Sequence, residues 1–87
     1  MIYTLSSDAV TAITPNGTHS GMDITIQNVN SSGYIYIGTD NTVSSSNYGY
    51  RLAPGAAFSV ELAGKDDLCL IGSTNDLDAA VLIVGLE

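Results

Sequence analysis

The chain has 87 residues and a formal net charge of −7, from nine acidic and two basic side chains. A chain of this length is expected to form one domain, 1–87, because it buries only about 60–65% of its unfolded surface and cannot divide one core into two. The negative charge would repel a phosphate backbone or an anionic membrane surface, so neither a nucleic acid nor a membrane is an expected partner.

The first predicted elements are short strands. Within residues 1–20, the segment VTAIT at 10–14 has strand-forming residues, and the region as a whole is either a strand or an arm that becomes ordered on assembly. The segment MDITIQNV then alternates apolar and polar residues and places Met22, Ile24 and Ile26 on one face. This pattern is typical of a strand with one wet face.

A hairpin is predicted next. The strand YIYIG at 34–38 follows the short turn NSSG and would pair with MDITIQNV. Its residues Ile35 and Ile37 share one face, and Tyr34 and Tyr36 share the other. The tyrosine face is expected to meet a neighbouring strand, the long loop that follows or a second subunit.

A polar segment at 39–47 separates this hairpin from a second predicted one. The strands YGYRL at 48–52 and FSVEL at 58–62 flank the segment APGA. Pro54 and Gly55 suit the two central positions of a type II turn, so we expect the two strands to pair directly. Alternation in FSVEL then predicts three inward side chains: Phe58, Val60 and Leu62.

Two further strands follow, LCLIG at 68–72 and AAVLIVGL at 79–86. The second is apolar on both faces, so we expect it at the centre of a sheet or at a subunit contact. About seven short strands separated by turns predict an all-β fold. The expected architecture is a small, single-domain antiparallel β-sandwich or barrel.

Few side chains suit catalysis. Cys69 is the single cysteine, which excludes an intrachain disulfide and favours oligomerisation as the source of additional stability. Its apolar strand indicates a buried, unreactive thiol, and His19 lies in a turn-rich segment. Glu61, Asp66 and Asp67 lie on a wet strand face and in a turn, where carboxylates serve solubility. We expect no enzyme activity, no catalytic residue and no cofactor.

Two polar segments carry oxygen atoms of the kind that Ca²⁺ binds, GTDN at 38–41 and TNDLD at 74–78. Neither has the spacing of an EF-hand loop, and Asp and Asn side chains also stabilise turns, so we favour turns and no metal site, with calcium as the alternative. The N-glycosylation patterns at Asn16 and Asn30 are interpreted as turns as well.

The central segment DITIQNVNSSGYIYIGTDNTVSSSNYGYRLAPGAAFSVEL, 23–62, contains several motifs in a fixed order. An IQN strand, a YIG strand, a polar loop, a strand ending in L-x-P-G and an F-S-V-E-L strand follow one another. This order resembles small virion structural proteins of tailed bacteriophages, of the capsid decoration or head-fibre type. The segment DDLCLIG and the final apolar strand also fit, whereas residues 1–20 depart from the pattern.

The resemblance implies a non-enzymatic structural role. Our hypothesis is a capsid decoration (cement) protein, assembled as a homotrimer, that binds the major capsid protein at subunit junctions on the outer capsid surface of the virion. Tyrosine buries area while its hydroxyl stays wet, and arginine pairs carboxylates bidentately. The predicted interface therefore consists of Tyr3, Tyr34, Tyr36, Tyr48, Tyr50 and Arg51.

Two alternatives remain open at this point. The chain could instead be a tail or fibre binding module that recognises a host glycan or surface protein through the 39–47 loop, with Tyr36 and Tyr48 beside it. For Arg51, an intrachain ion pair with Glu61 across the predicted APGA hairpin is equally compatible with the sequence.

Overall fold

The structure, a computed structural model, describes residues 2–13, 22–62 and 68–84. The predictions made for Asn16, His19, Asp66 and Asp67 lie outside the described residues. The strands are β1 (Ile2–Leu5), β2 (Thr11–Ile13), β3 (Met22–Asn28), β4 (Ile35–Gly38), β5 (Tyr50–Leu52), β6 (Ala57–Leu62), β7 (Leu68–Gly72) and β8 (Leu77–Val84).

The eight described strands form two four-stranded antiparallel sheets. Sheet A has the order β1-β8-β3-β6, and sheet B has the order β2-β7-β4-β5. Every connection except that between β4 and β5 joins strands of different sheets, and this is the strand order of a jelly roll. The predicted all-β sandwich is therefore confirmed, with eight strands instead of about seven. The additional strand is β1, within the region predicted as a strand or an arm.

Both predicted hairpins are wrong as pairings, although their strands exist. β3 pairs with β6 and β8 in sheet A, whereas β4 pairs with β5 and β7 in sheet B. The NSSG and APGA turns are therefore corners between sheets. Alternation gives each strand one inward face in either arrangement, so it does not distinguish a hairpin from a corner between two sheets about 10 Å apart.

The APGA corner has the predicted type II geometry. Gly55 has a φ of 82°, which the third position of this turn requires and which glycine adopts without strain. The Ala56 N–H donates to the Ala53 carbonyl at 2.9 Å and closes the turn. The local prediction is confirmed, and only the strands that the turn connects differ from expectation.

The main core lies between the two sheets and is built from alternate positions. Ile24 and Ile26 of β3 face Ile35 and Ile37 of β4, and all four are buried, as their alternation predicts. β8 lies between β1 and β3, so the strand that is apolar on both faces is central in its sheet. Its buried inward side chains are Leu77, Ala79 and Val81.

Asn28 is a polar residue completely buried at the end of β3, and it joins the loops at one end of the sandwich. Its Nδ2 donates to the Gly33 carbonyl at 3.0 Å and to the Leu52 carbonyl at 3.1 Å. Its Oδ1 accepts hydrogen bonds from the backbone and side-chain nitrogens of Asn30 at 3.1 and 2.7 Å. Each polar atom of this buried amide therefore has partners, as burial requires.

Asn30 extends the β3–β8 ladder with its side chain. Its Nδ2 donates to the Asp78 carbonyl at 2.9 Å, and its Oδ1 accepts the Asp78 N–H at 3.0 Å. The amide thus replaces one residue of backbone at the point where the chain leaves sheet A. The interpretation of NSS as a turn is confirmed, and the nitrogen that a glycan would occupy is engaged in hydrogen bonds.

Candidate functional site

The polar segment 39–47 folds back onto the outer face of sheet B. Its anchor is Val43, which is 4% exposed and packs in a second small cluster with Tyr36, Cys69 and Ile71. Val10 packs against the edge of this cluster. The segment is therefore a flap that covers part of the sheet. It is attached through the buried side chain of Val43, which its otherwise polar composition does not indicate.

Hydrogen bonds inside the segment fix its shape. Both the backbone N–H and the hydroxyl of Thr42 donate to Oδ1 of Asp40, and Asn47 Nδ2 donates to the Thr42 carbonyl at 3.1 Å. Ser44 and Asn47 exchange backbone hydrogen bonds of 2.8 and 3.2 Å. The expectation that these residues stabilise their own turns is confirmed.

The same bonds act on the charge of Asp40. The hydrogen bonds from the Thr42 hydroxyl and N–H stabilise the carboxylate and hold the pKa of Asp40 below its usual value. The carboxylate is therefore ionised throughout the neutral range.

Two of the predicted interface tyrosines contact each other through this flap. The rings of Tyr36 and Tyr48 lie with their centroids 4.9 Å apart, tilted by 41°. Tyr36 is only 9% exposed, because Tyr48, Val43 and the neighbouring strand cover it, whereas Tyr48 is exposed. Of the three neighbours predicted for the tyrosine face of β4, the structure shows two, the long loop and a neighbouring strand.

The remaining predicted interface residues do not share one surface. Arg51 lies on the outer face of sheet B with its guanidinium carbon 4.7 Å from the centre of the Tyr34 ring, a cation–π contact. Tyr50 turns inward and meets Phe58, with ring centroids 4.7 Å apart. Tyr3 packs against the main core from β1.

The alternative partner of Arg51 loses its geometric basis. Arg51 belongs to sheet B and Glu61 to sheet A, so the hairpin that would have paired them does not form. In the part of the chain that the structure describes, the Arg51 guanidinium contacts the Tyr34 ring. The arginine is exposed and its charge remains accessible to a partner.

A cleft of about 570 Å³ opens between the sheets beside the flap. Its walls are apolar at the bottom, where Ile37, Val60 and Leu68 lie, and aromatic at the side, where Tyr48 and Tyr50 lie. Residues with oxygen-bearing side chains also line it: Thr39, Asp40, Thr42, Asn47 and Glu61. An apolar cavity of this volume with a few polar groups is a typical small-ligand site.

The outer face of sheet A is a second candidate surface. It has two exposed large aliphatic side chains, Ile2 at 59% and Leu82 at 61%. Small or uncharged residues surround them on the outward positions of the four strands. These positions are Thr4, Thr25, Gln27, Ala57, Ser59 and Ala80.

Among the described outward positions of this face, charged side chains lie at the two ends. Asp78 lies at one end, where its Oδ1 accepts a hydrogen bond from the Thr4 hydroxyl at 3.0 Å. At the other end, Asp23 and Glu61 stand directly opposite each other on β3 and β6, and both are exposed. Like charges in this position repel and destabilise the strand pair.

Ile2 and Leu82 are functional candidates that the sequence-based selection of aromatic residues missed. The signal for Leu82 was available, because AAVLIVGL is apolar on both faces and one of those faces must point away from the core. No comparable signal marked Ile2, since its segment was not predicted as a separate strand. Exposed aliphatic residues clustered on one sheet mark interaction surfaces more often than single ones do.

Several of the described residues that were considered for catalysis or metal binding are buried or are engaged in hydrogen bonds within the protein. Cys69 is buried in β7, as predicted. Asn75 Oδ1, an oxygen considered for calcium, accepts hydrogen bonds from Ser6 and Ser7. In the part of the chain that the structure describes, no three acidic, histidine or cysteine side chains converge as a metal site would need. No helix in that part has the length and apolarity to cross a membrane.

Comparison of the chain with protein-family models, curated proteins and solved structures finds no match. A functional proposal therefore depends on the outer face of sheet A and on the motif order in the sequence.

Proposed function

We propose that this protein is a non-enzymatic virion structural protein, a capsid decoration protein of a tailed bacteriophage. It binds the major capsid protein on the outside of the head at junctions between capsid subunits. The observation that carries the proposal is the outer face of sheet A, with exposed Ile2 and Leu82 in an uncharged centre. Depletion of charge at the centre is the compositional mark of a protein–protein interface.

Charge complementarity defines the partner's chemistry. The facing carboxylates of Asp23 and Glu61 repel each other, and the structure shows no basic side chain opposite them within the described residues of sheet A. A lysine or arginine at the margin of the partner surface would relieve this repulsion. The partner is thus a protein surface with an apolar centre and a basic margin.

The fold is compatible with this role by analogy alone. Jelly rolls include viral capsid domains, but the same fold also carries lectins and cupins, so the assignment rests on the surface. We further propose a homotrimer whose copies meet on the side that exposes Tyr34 and Arg51, leaving sheet A for the capsid. A protein that binds only the assembled lattice stabilises it by mass action.

Co-sedimentation with mature phage heads that lack the protein tests the proposal. We expect saturable binding that raises the temperature at which the heads rupture. Leu82→Glu should abolish binding, because it introduces a charge at the centre of the face while leaving an exposed position exposed. Val29→Glu is the matched control, since Val29 is an equally aliphatic exposed residue in the β3–β4 loop.

The possible outcomes test the decoration role and the assignment of the binding face separately. If the wild-type protein does not sediment with mature heads and is absent from virions, the proposed function is wrong. If it binds but Leu82→Glu and Val29→Glu lose binding equally, the function stands and the assignment of the face is wrong. Sedimentation velocity of the free protein tests the trimer independently.

A further inference from the structure

We propose that the cleft beside the flap is a binding site for a neutral saccharide unit. This inference goes beyond the virion role, because the cleft opens between the sheets and most of its lining lies off the outer face of sheet A. The cleft volume of about 570 Å³ falls within the range of ligand sites and holds one or two sugar rings.

The aromatic wall provides the stacking surface. Tyr48 and Tyr50 line the cleft, and each ring contacts a second ring. Tyr36 contacts Tyr48, and Phe58, which also lines the cleft, contacts Tyr50. Both lining tyrosines remain exposed, so a ligand can reach them. Rigid aromatic rings with a polar hydroxyl bury area at low entropic cost, which suits an amphipathic ligand such as a pyranose.

The polar side chains of the lining provide acceptors for hydroxyl groups. The recorded hydrogen bonds of Asp40 use Oδ1, which binds Thr42, and those of Asn47 use Nδ2. Asp40 Oδ2 and Asn47 Oδ1 both belong to side chains that line the cleft. These oxygens can accept hydrogen bonds from sugar hydroxyls without disturbing the bonds that hold the flap.

The charge of the lining selects against other ligand classes. Asp40 and Glu61 are the charged side chains among the described residues that line the cleft, and both are acidic. Phosphates, nucleotides and acidic sugars are therefore repelled. A site shaped by internal hydrogen bonds and by the buried Val43 is also largely preformed, which lowers the ordering cost of binding.

Amide NMR titration of the full chain with D-glucose, D-galactose and N-acetyl-D-glucosamine tests the site. We expect saturable shifts confined to residues 37–50, 58–61 and Leu68 with at least one sugar, at a dissociation constant of about millimolar, the scale expected for so small a ligand. Tyr48→Ala should weaken that affinity about tenfold or more, because it removes a stacking ring. Val29→Ala, which shortens an exposed side chain away from the cleft, should leave it unchanged.

A second variant distinguishes loss of the binding site from loss of the fold. Tyr50→Leu keeps apolar volume against Phe58 but removes the ring, and it should weaken binding while the remaining amide spectrum stays native-like. The proposal is overturned if none of the three sugars gives saturable shifts, or if Val29→Ala weakens binding as much as the cleft variants do. Shifts produced by choline but by no sugar would identify a cation site instead and would equally overturn it.

The two proposals fail independently. Loss of head binding with sugar binding intact would remove the decoration role alone. Head binding by Tyr48→Ala and Tyr50→Leu, together with an absence of sugar shifts in the wild type, would remove the saccharide site alone.

Discussion

Val43 packs against Gly38 at a distance that leaves no room for a side chain on the glycine. A Cβ built on Gly38 would lie 2.9 Å from Cβ of Val43 and 3.0 Å from its Cγ2. Val43 is itself buried, so it cannot move aside without uncovering the cluster beneath the flap. The last residue of β4 thus holds the start of the flap on the sheet.

Gly38→Ala should detach the flap. The added methyl group overlaps the rigid base of the Val43 side chain, so we expect a loss of about 1–3 kcal/mol in the free energy of unfolding, together with increased exposure of Tyr36. Gly49→Ala is the control, because a Cβ there would meet only the Ile37 carbonyl at an ordinary 3.5 Å. Urea denaturation measures both. Equal stability of the two variants would show that Val43 does not anchor the flap.

Asn28→Ala should be among the most damaging substitutions. It leaves the carbonyls of Gly33 and Leu52 and both donors of Asn30 without their buried partner, at an expected cost of about 3 kcal/mol or more. Gln27→Ala, one residue earlier and on the exposed face, should change the free energy of unfolding by less than about 0.5 kcal/mol. A small effect of Asn28→Ala in thermal or urea denaturation would contradict the role assigned to this amide.

The flap should loosen in acid. Because the Thr42 hydrogen bonds hold the pKa of Asp40 below its usual value, the carboxylate contributes stability above the pKa of the unfolded chain. That contribution is lost as the pH falls through the lowered pKa of the folded state. Carbon-13 NMR of the Asp40 carboxyl should show the low midpoint, and Thr42→Val should move it upward by removing the hydroxyl. An unchanged midpoint in Thr42→Val would contradict this cause.

Glu61→Gln should stabilise the free protein and weaken its binding to heads. It removes the repulsion with Asp23, worth about 0.2–1 kcal/mol, and also removes a charge that the partner's basic margin would use. Asp8→Asn in the exposed β1–β2 loop is the control, because it changes the net charge equally at a distant site. Destabilisation by Glu61→Gln, or equal stabilisation by Asp8→Asn, would show that the facing pair is not under strain.

Arg51→Ala should leave the fold intact. Its contact with Tyr34 is exposed and contributes about 0.5–1 kcal/mol, so circular dichroism and the unfolding midpoint should change little. Under the proposed trimer, sedimentation velocity should show dissociation, and Arg51→Lys, which keeps the charge but lacks the planar fork, should show an intermediate effect. A trimer unaffected by Arg51→Ala would place the subunit contact elsewhere.

The sequence predicted the strands well because period-2 alternation reports which side chains face the core between the sheets. Ile24 and Ile26, and Ile35 and Ile37, follow this rule without exception. The sequence did not predict the pairing of strands, since a two-sheet corner and a hairpin place the same residues inward. Proximity in the chain favoured pairing of consecutive strands in a hairpin, whereas in the structure these strands belong to different sheets.

Asn28 and Val43 are two buried residues whose structural roles the sequence did not predict. Asn28 continues the inward series after Ile24 and Ile26 within the predicted strand MDITIQNV, so its position already indicated burial, but no sequence signal identified the partners of its buried amide. Val43 is a lone apolar residue among polar ones, and no periodicity marks it. Its burial depends on Tyr36, Cys69 and Ile71, which reach it from two different strands.

The alternation of the chain between the two sheets also governs how fast the protein reaches its native state. Strands that are adjacent in a sheet are mostly distant in sequence, as β1 and β8 are, with Ile2 opposite Ala80. Large loops must close before these pairs gain any contact energy, so folding belongs on the millisecond-to-second scale of all-β sandwiches. During that interval the unpaired strands are exposed to other chains, and mutual repulsion at a net charge of −7 keeps the folding chains apart.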